Sequence, residues 1–418
     1  MSVFVIDGGI PLRGTVRISG AKNAILPALA ACLLTEGKTV LKDVPDLEDV
    51  HTMCRLLESL GAKVNFGTEK REIEIETGSV IEHTAPYELV NTMRASFLVM
   101  GPLLAKKGRA RVPLPGGCAI GSRPVDLHLK GFSAMGATIN TGHGYVEAQV
   151  NGRLTGARIY LDFPSVGATE NILMAAVLAK GQTVIENAAT EPEIVDLATM
   201  LVSMGANVTG AGTDTIRIIG TDKLKPTEHI VIPDRIEAGT YMLAAAITGG
   251  EVTIENIMSD HLKPVIAKLR EAGIEIAEEF NSINVRAVRR PKAVDVKTHP
   301  FPGFPTDMQA QMTAFLSQAE GTSIVVETIF ENRFMHIGEL KRMGARIKID
   351  GRTAIIEGAT QLMGAQVRAT DLRAGAALVL AGLIARDRTE IIDIYHVDRG
   401  YEAMEKKLQA LGARIVRV

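Results

Sequence analysis

The sequence predicts an α/β protein of two domains, each made of three repeated helix–strand units around a pseudo-threefold axis. Three observations lead there. The tripeptide Leu/Met-Gly-Ala recurs at Leu60, Met135, Met204, Met343 and Leu411, with a degenerate copy at Ala272-Gly273-Ile274. Its glycines, at 61, 136, 205, 273, 344 and 412, stand 68 to 75 residues apart, so six copies of one unit fill the 418 residues. Ahead of each copy lie a helix apolar on most faces, a short strand and an amphipathic helix, in that order.

The elements follow along the chain. Two N-terminal strands, Val3 to Ile6 and Val16 to Ile18, precede the first apolar helix, Ala24 to Leu34. Its counterparts are Ala95 to Leu104, Glu170 to Leu178, Ala238 to Ile247, Met308 to Leu316 and Ala374 to Ile384. A helix without a polar side belongs inside a domain, which disfavours a linear solenoid of six units and favours closure in threes. Strands follow at Thr39-Val-Leu, Ala110-Arg-Val, Thr183-Val-Ile, Val252-Thr-Ile, Ser323-Ile-Val and Thr389-Glu-Ile, each entered from a Gly-rich turn. Amphipathic helices such as Asp46 to Leu60 and Glu193 to Met204 come next, and the repeated glycine caps each in the left-handed conformation. The domains are expected at 21–230 and at 1–20 plus 231–418, with the N-terminal strands completing the second. The crossings near Ser19 to Gly20 and His229 to Pro233 are the expected hinge.

Composition narrows the class. At 46% hydrophobic, 22% charged and net charge −2, the chain suits a water-soluble protein with no nucleic-acid or membrane partner. The N-terminus lacks the basic and long apolar segments of a signal peptide, so a cytoplasmic location is expected. Cys32, Cys54 and Cys118 show neither disulfide nor metal-ligand spacing, and no metal or organic cofactor is expected. Cys32 and Cys54 fall in helical patterns and read as core. The runs Arg286 to Lys292 and Lys406-Lys407 read as solvated faces.

Cys118 stands apart. It sits in Pro113-Leu-Pro-Gly-Gly-Cys-Ala-Ile-Gly-Ser-Arg-Pro-Val-Asp-Leu127, where glycines permit movement and prolines exclude a continuous helix. Arg123 nearby favours thiolate and attracts anions. Charged or polar residues also open several apolar helices: Lys22-Asn23, Arg94, Asp307, and Asp371 with Arg373. Free amides and the dipole at such ends suit phosphate and carboxylate, while Asp307 and Asp371 also read as helix caps. Cations there oppose the dipole and call for an anionic partner.

With these motifs together, Gly20-Ala-Lys-Asn-Ala24, Thr92-Met-Arg-Ala-Ser96, Pro115-Gly-Gly-Cys-Ala-Ile-Gly121, Arg123-Pro-Val-Asp-Leu127, Pro305-Thr-Asp307, Asp371-Leu-Arg-Ala-Gly375 and Asp398-Arg-Gly-Tyr401, the chain resembles the UDP-N-acetylglucosamine 1-carboxyvinyltransferase (MurA) family of enolpyruvyl transferases from end to end. The resemblance implies two inside-out α/β domains closing over a cleft, the enolpyruvyl transferase fold. It implies transfer of enolpyruvyl from phosphoenolpyruvate to the sugar 3-hydroxyl, with release of phosphate, in the first committed step of peptidoglycan synthesis. By the same resemblance Cys118 donates the proton, Asp307 is the general base and Asp371 takes the methyl proton in elimination. Lys22, Arg123 and Arg399 hold phosphoenolpyruvate, with Asn23 and Arg373 positioning the reacting groups. The nucleotide sugar is expected at Arg94, at Arg123, Pro124, Val125, Asp126 and Leu127, at Ser165, Val166 and Gly167, and at Asp307 and Ile329.

One departure appears. A well-known branch of the family has Lys two residues before its Ser-Val-Gly, whereas this chain has Phe163, either an apolar strand end or a stacking surface for uracil. Two rivals stay open at this level: a shikimate-pathway transferase, whose Ser-Lys-Ser motif is replaced here by Ser19-Gly-Ala-Lys-Asn23, and a catalytically silent paralogue that binds the nucleotide sugar. Oligomeric state is not legible.

Overall fold

A computed structural model describes residues 2–78, 82–115 and 125–418. Its contacts divide the chain into two compact units, with one chain crossing between Ser19 and Gly20 and a second between Ile232 and Pro233. Each unit has its own apolar core.

The repeat is plainest in the third copy. A short strand, Arg158–Tyr160, leads into the Val166–Ala176 helix, then the strand Gln182–Glu186, the helix Pro192–Ser203 and a pair of strands, Asn207–Thr209 and Thr215–Ile219. The strands before and after the first helix pair in parallel, and the last two join antiparallel. Residues 168–176 of the helix are all buried, whereas Gln182–Glu186 buries Thr183 and Ile185 and leaves Gln182 exposed. Helices therefore occupy the inside of the unit and the sheets turn one face toward water, the inside-out arrangement. Burying each Leu, Ile or Val side chain stabilises this by about 1.5–3 kcal/mol.

The six repeated glycines have φ of +99°, +92°, +101°, +88°, +95° and +95°. Only glycine adopts that region without strain, so each outer helix stops at the same point and turns into its strand.

Two strands depart from the simple repeat. Arg13–Arg17, just before the first buried helix, pairs in parallel with Glu251–Glu255 in the second unit. Glu228–Ile230, just before the fourth, pairs in parallel with Gly37–Lys42 in the first. The first and fourth copies have thus exchanged their leading strands, and the chain changes unit immediately after each. Phe4–Asp7 lies antiparallel between Arg388–Ile392 and Arg414–Arg417, filling the sixth sheet.

The buried helices differ from their sequence-based limits most in the first three copies, the third starting at Val166 rather than Glu170. The Ala95 to Leu104 segment is not one α-helix: Arg94–Val99 is a 3-10 turn and the α-helix runs Met100–Lys107. Pro102 has no N–H and its ring crowds the carbonyl four residues back, so regular α geometry starts late enough to leave Pro102 in its first turn. The first helix ends at Ala31, and Cys32–Leu34 tightens into a 3-10 turn. Cys32 and Cys54 are buried. Lys407 corrects the solvated-face reading: its Nζ lies 2.6 Å from Oε1 of the buried Glu237 and 2.8 Å from the Ser19 hydroxyl.

Candidate functional site

In the first unit the predicted residues gather at helix N-termini. Lys22 is the first residue of the Lys22–Ala31 helix, whose first turn has no acidic side chain. A buried ammonium at the positive end of a dipole requires a carboxylate, and Asp49 supplies it at 2.7 Å. Asn23 follows, half-buried. Ser165 caps Val166–Ala176 through a single 3.3 Å bond accepted from the Ala168 amide. Val125 precedes the Asp126–Ala134 helix, which starts with the exposed Asp126 and half-buried Leu127.

The two helices are joined through His128. Asn171 Nδ2 donates to His128 Nδ1 at 3.0 Å and to the Phe97 carbonyl at 3.0 Å, while its Oδ1 accepts from the Gly101 amide at 2.7 Å. That pattern fixes the amide and leaves the imidazole proton on Nε2. Burial, followed by the nearby positive charge of Arg94, pushes the His128 pKa down to about 3, so the ring is neutral at pH 7. It lies beneath Gly167, where an added methyl would sit 3.4 Å from Cε1. Phe163 is 44% exposed beside this end, its carbonyl accepting from the Ser165 amide at 2.7 Å. Cys118, Arg123 and Pro124 lie outside the described residues.

In the second unit Asp307 is the centre. It caps no helix: Arg333 Nη2 donates to Oδ1 at 2.7 Å and Arg373 Nη2 to Oδ2 at 2.9 Å. Burial would raise its pKa, but Arg373 and Arg333 outweigh that and hold it well below the usual carboxylate range. Both arginines are themselves buried. Nε and Nη1 of Arg373 and Nε of Arg333 make no hydrogen bond among the described residues, leaving donor capacity suited to an anion.

Asp371 does cap its helix. Oδ1 accepts from the Arg373 and Ala374 amides at 2.8 and 3.0 Å, which anchors the carboxylate and aims the Arg373 side chain. His336 and His396 both feel the Asp371 charge. Burial pushes His336 down to about 4, against the opposing pull of Asp371. Burial and then Arg399 lower His396. The Arg399 side chain is half-buried. The Ile329 amide donates to Glu327 Oε1 at 2.8 Å.

The structure thus brings Asp307 and Arg373 into direct contact and places Asp371 in the same helix turn as Arg373. Asp49, His128, Asn171, Glu327, Arg333 and His336 were not found in the sequence. Asn171 left a signal, an amide in an otherwise apolar helix; Arg333 left none, because it sits in a turn without periodicity. Among the described residues no group of three or more His, Cys, Asp or Glu is placed to hold a metal ion, and no helix is long and apolar enough to cross a membrane.

Comparison with known proteins bears on the chain as a whole. Residues 6–408 match the EPSP synthase (3-phosphoshikimate 1-carboxyvinyltransferase) family. The chain is 64% identical over 414 residues to UDP-N-acetylglucosamine 1-carboxyvinyltransferase 1 of Caldanaerobacter subterraneus subsp. tengcongensis, covering 99% of both. It is 60% identical to UDP-N-acetylglucosamine 1-carboxyvinyltransferase 2 of Carboxydothermus hydrogenoformans, covering 100% of both. Among solved structures it resembles the enolpyruvyl transferase NikO from Streptomyces tendae, with TM-score 0.91 and 25% identity over 100% of this chain and 99% of that one. EPSP synthase from Acinetobacter baumannii, at TM-score 0.77 and 21% identity over 100% of both chains, shares the fold. Six repeats in two inside-out units and this full-length similarity together make the chain a member of the EPSP synthase family of enolpyruvyl transferases, within its UDP-N-acetylglucosamine 1-carboxyvinyltransferase branch.

Proposed function

We propose that the protein transfers the enolpyruvyl group of phosphoenolpyruvate to the 3-hydroxyl of UDP-N-acetylglucosamine, releasing phosphate, in peptidoglycan synthesis and hence in cell-wall growth and division. The observation that carries this reading is the 64% identity over 99% of both chains to a relative of that name. EPSP synthase structures reach 21%, so the shikimate acceptor is not favoured.

The roles are those the family resemblance implies, written as a balanced reaction. Cys118 protonates carbon 3 of the enol, and carbon 2 gains oxocarbenium character. The sugar oxygen bonds to carbon 2 as its proton passes to Asp307. Elimination breaks the carbon 2–phosphate oxygen bond, and Asp371 takes a proton from the new methyl group as the double bond re-forms. Lys22, Arg123 and Arg399 bind phosphoenolpyruvate with Asn23 and Arg373. Arg94, Arg123, Pro124, Val125, Asp126, Leu127, Ser165, Val166, Gly167, Asp307 and Ile329 bind the nucleotide sugar. The unfilled donors on Arg373 support anion binding by that residue. A carboxylate held by two guanidiniums is ionised at neutral pH but weakly basic, so Asp307 accepts the proton best once the hydroxyl is acidified by bonding to carbon 2.

The functional domains are taken as 21–230 and 1–20 with 231–418, supported by the contact division at 19/20 and 232/233. Substrates of this charge do not cross membranes unaided, which supports a cytoplasmic site of action. The test is phosphate release from purified protein with both substrates, beside a shikimate 3-phosphate control and fosfomycin pretreatment. Sugar-dependent release abolished by fosfomycin is expected. Release with shikimate 3-phosphate alone would replace the reading, and no release with either acceptor would leave a silent paralogue.

A further inference from the structure

The Pro305-Thr306-Asp307 motif contains a side chain to which the proposed reaction gives no role, Thr306. It is half-buried in the 3-10 turn Thr306–Met308. Its hydroxyl oxygen lies 2.7 Å from Arg333 Nη1 and 2.9 Å from Glu327 Oε2. A guanidinium only donates, so the Thr306 oxygen accepts from Arg333 and its one proton goes to Glu327.

Glu327 is fixed. It is 1% exposed. Besides Thr306 it accepts from the Thr298 hydroxyl at 3.0 Å and from the Ile329 and Phe330 amides at 2.8 and 3.2 Å. A directed chain therefore runs from Asp307 through Arg333 and Thr306 to a buried carboxylate held by four hydrogen bonds. Without the hydroxyl, Arg333 loses the acceptor on Nη1, and among the described residues the guanidinium that holds Asp307 Oδ1 keeps only its packing against Phe330 and the Asp307 pair to fix its angle. Catalysis requires its groups to be held in place to a fraction of an ångström, so a loose base loses rate even where binding is kept.

We propose that Thr306 is a positioning residue for Asp307, transmitting the fixed place of Glu327 to the Arg333 guanidinium that holds one oxygen of the base. The proposal rests on the reading of Asp307 as the acceptor of the sugar-hydroxyl proton. Glu327 has a second arm, because the same carboxylate holds the Ile329 and Phe330 amides.

The experiment is steady-state kinetics of the full-length chain with phosphoenolpyruvate and UDP-N-acetylglucosamine. The isosteric Thr306→Val lowers kcat roughly 10- to 100-fold, the range for losing a hydrogen bond to a charged group, with KM for either substrate changed by less than about twofold. Thr306→Ser, which keeps the hydroxyl, restores kcat. Glu327→Gln lowers kcat and also raises KM for the nucleotide sugar, since both arms are touched. Wild-type kcat in Thr306→Val overturns the proposal, as does a fall in kcat matched by rises in both KM values that serine does not reverse, the mark of general disruption. Should Thr306→Val fail to fold by circular dichroism, Glu327→Gln decides: wild-type kcat there overturns the proposal and a loss supports it. Wild-type protein without turnover overturns the functional reading first and the proposal with it, and is told apart by the unmutated control.

Discussion

The third copies of the two units place the same element in the same surroundings and load it differently. Val166–Ala176 and Leu372–Ile384 are both buried helices entered from a short strand and followed by a strand parallel to it. Ser165 caps the first with one 3.3 Å bond, and Asp371 caps the second with two, at 2.8 and 3.0 Å. Two residues past the cap stands Gly167 in one and Arg373 in the other. The first end has a neutral cap with one long bond and no acidic side chain in its first turn, so its positive dipole favours an anion. The second spends its dipole on a carboxylate and projects a guanidinium onto Asp307. Architecture sets where a helix end lies, and two or three residues there set whether it binds with backbone or with side chain.

Breaking the side-chain end has the largest expected effect. Arg373→Gln removes half of the clamp on Asp307 together with the unfilled donors, and kcat falls on the order of 10²- to 10³-fold, the scale of losing a preorganised donor at the reacting centre. Steady-state kinetics checks this, and a kcat within a few-fold of wild type would put Arg373 outside the chemistry.

A second difference sharpens the comparison. Five residues past the cap the first helix carries Glu170 and the second Ala376. Glu170 is buried, with Oε1 unbonded among the described residues. Burial, then Glu193 and Glu191, raise its pKa well above the ordinary 4.5. A raised folded-state value contributes stability that is present below 4.5 and lost as pH climbs through the raised value. The Glu170 contribution should therefore fall with rising pH above 4.5, by at most about 1.4 kcal/mol per pH unit, and is read as the difference between wild type and Glu170→Gln. Glu170→Gln should lose that component. Urea midpoints of the two proteins across the range test it, and parallel curves would show Glu170 ionised in the folded state.

The caps give the smaller effects. Asp371→Ala should destabilise by about 2 kcal/mol, the upper end for a cap, since it removes two bonds accepted by a charged group. Ser165→Ala should cost about 0.5 kcal/mol, because its one bond is long. Denaturant melts of the two variants check the order, and a larger loss at Ser165 would contradict the contrast drawn between the helix ends.

What was legible in the sequence was local. The six glycines announced their own left-handed backbone, because no other residue turns a helix into a strand there without strain. Apolar runs announced buried helices, and alternation announced sheets with one wet face. Asp371 was legible as a cap from its place before an apolar run. The need of Lys22 and Arg373 for an anionic partner was legible too, since each is a cation at a positive helix end.

The sequence by itself therefore determined the repeat, the burial of its helices and the charged ends on which a site could be built. Tertiary structure decided the partners. Asp49 for Lys22, Arg333 for an aspartate 26 residues away and Arg373 for the same aspartate 66 residues away are pairings made by packing. So is the exchange of Arg13–Arg17 and Glu228–Ile230 between sheets. The reason is one of range: backbone preference and hydrophobic period act within a few residues and are written along the chain. An ion pair or a strand partner is fixed only when distant segments are pressed together and each buried charge must find its complement.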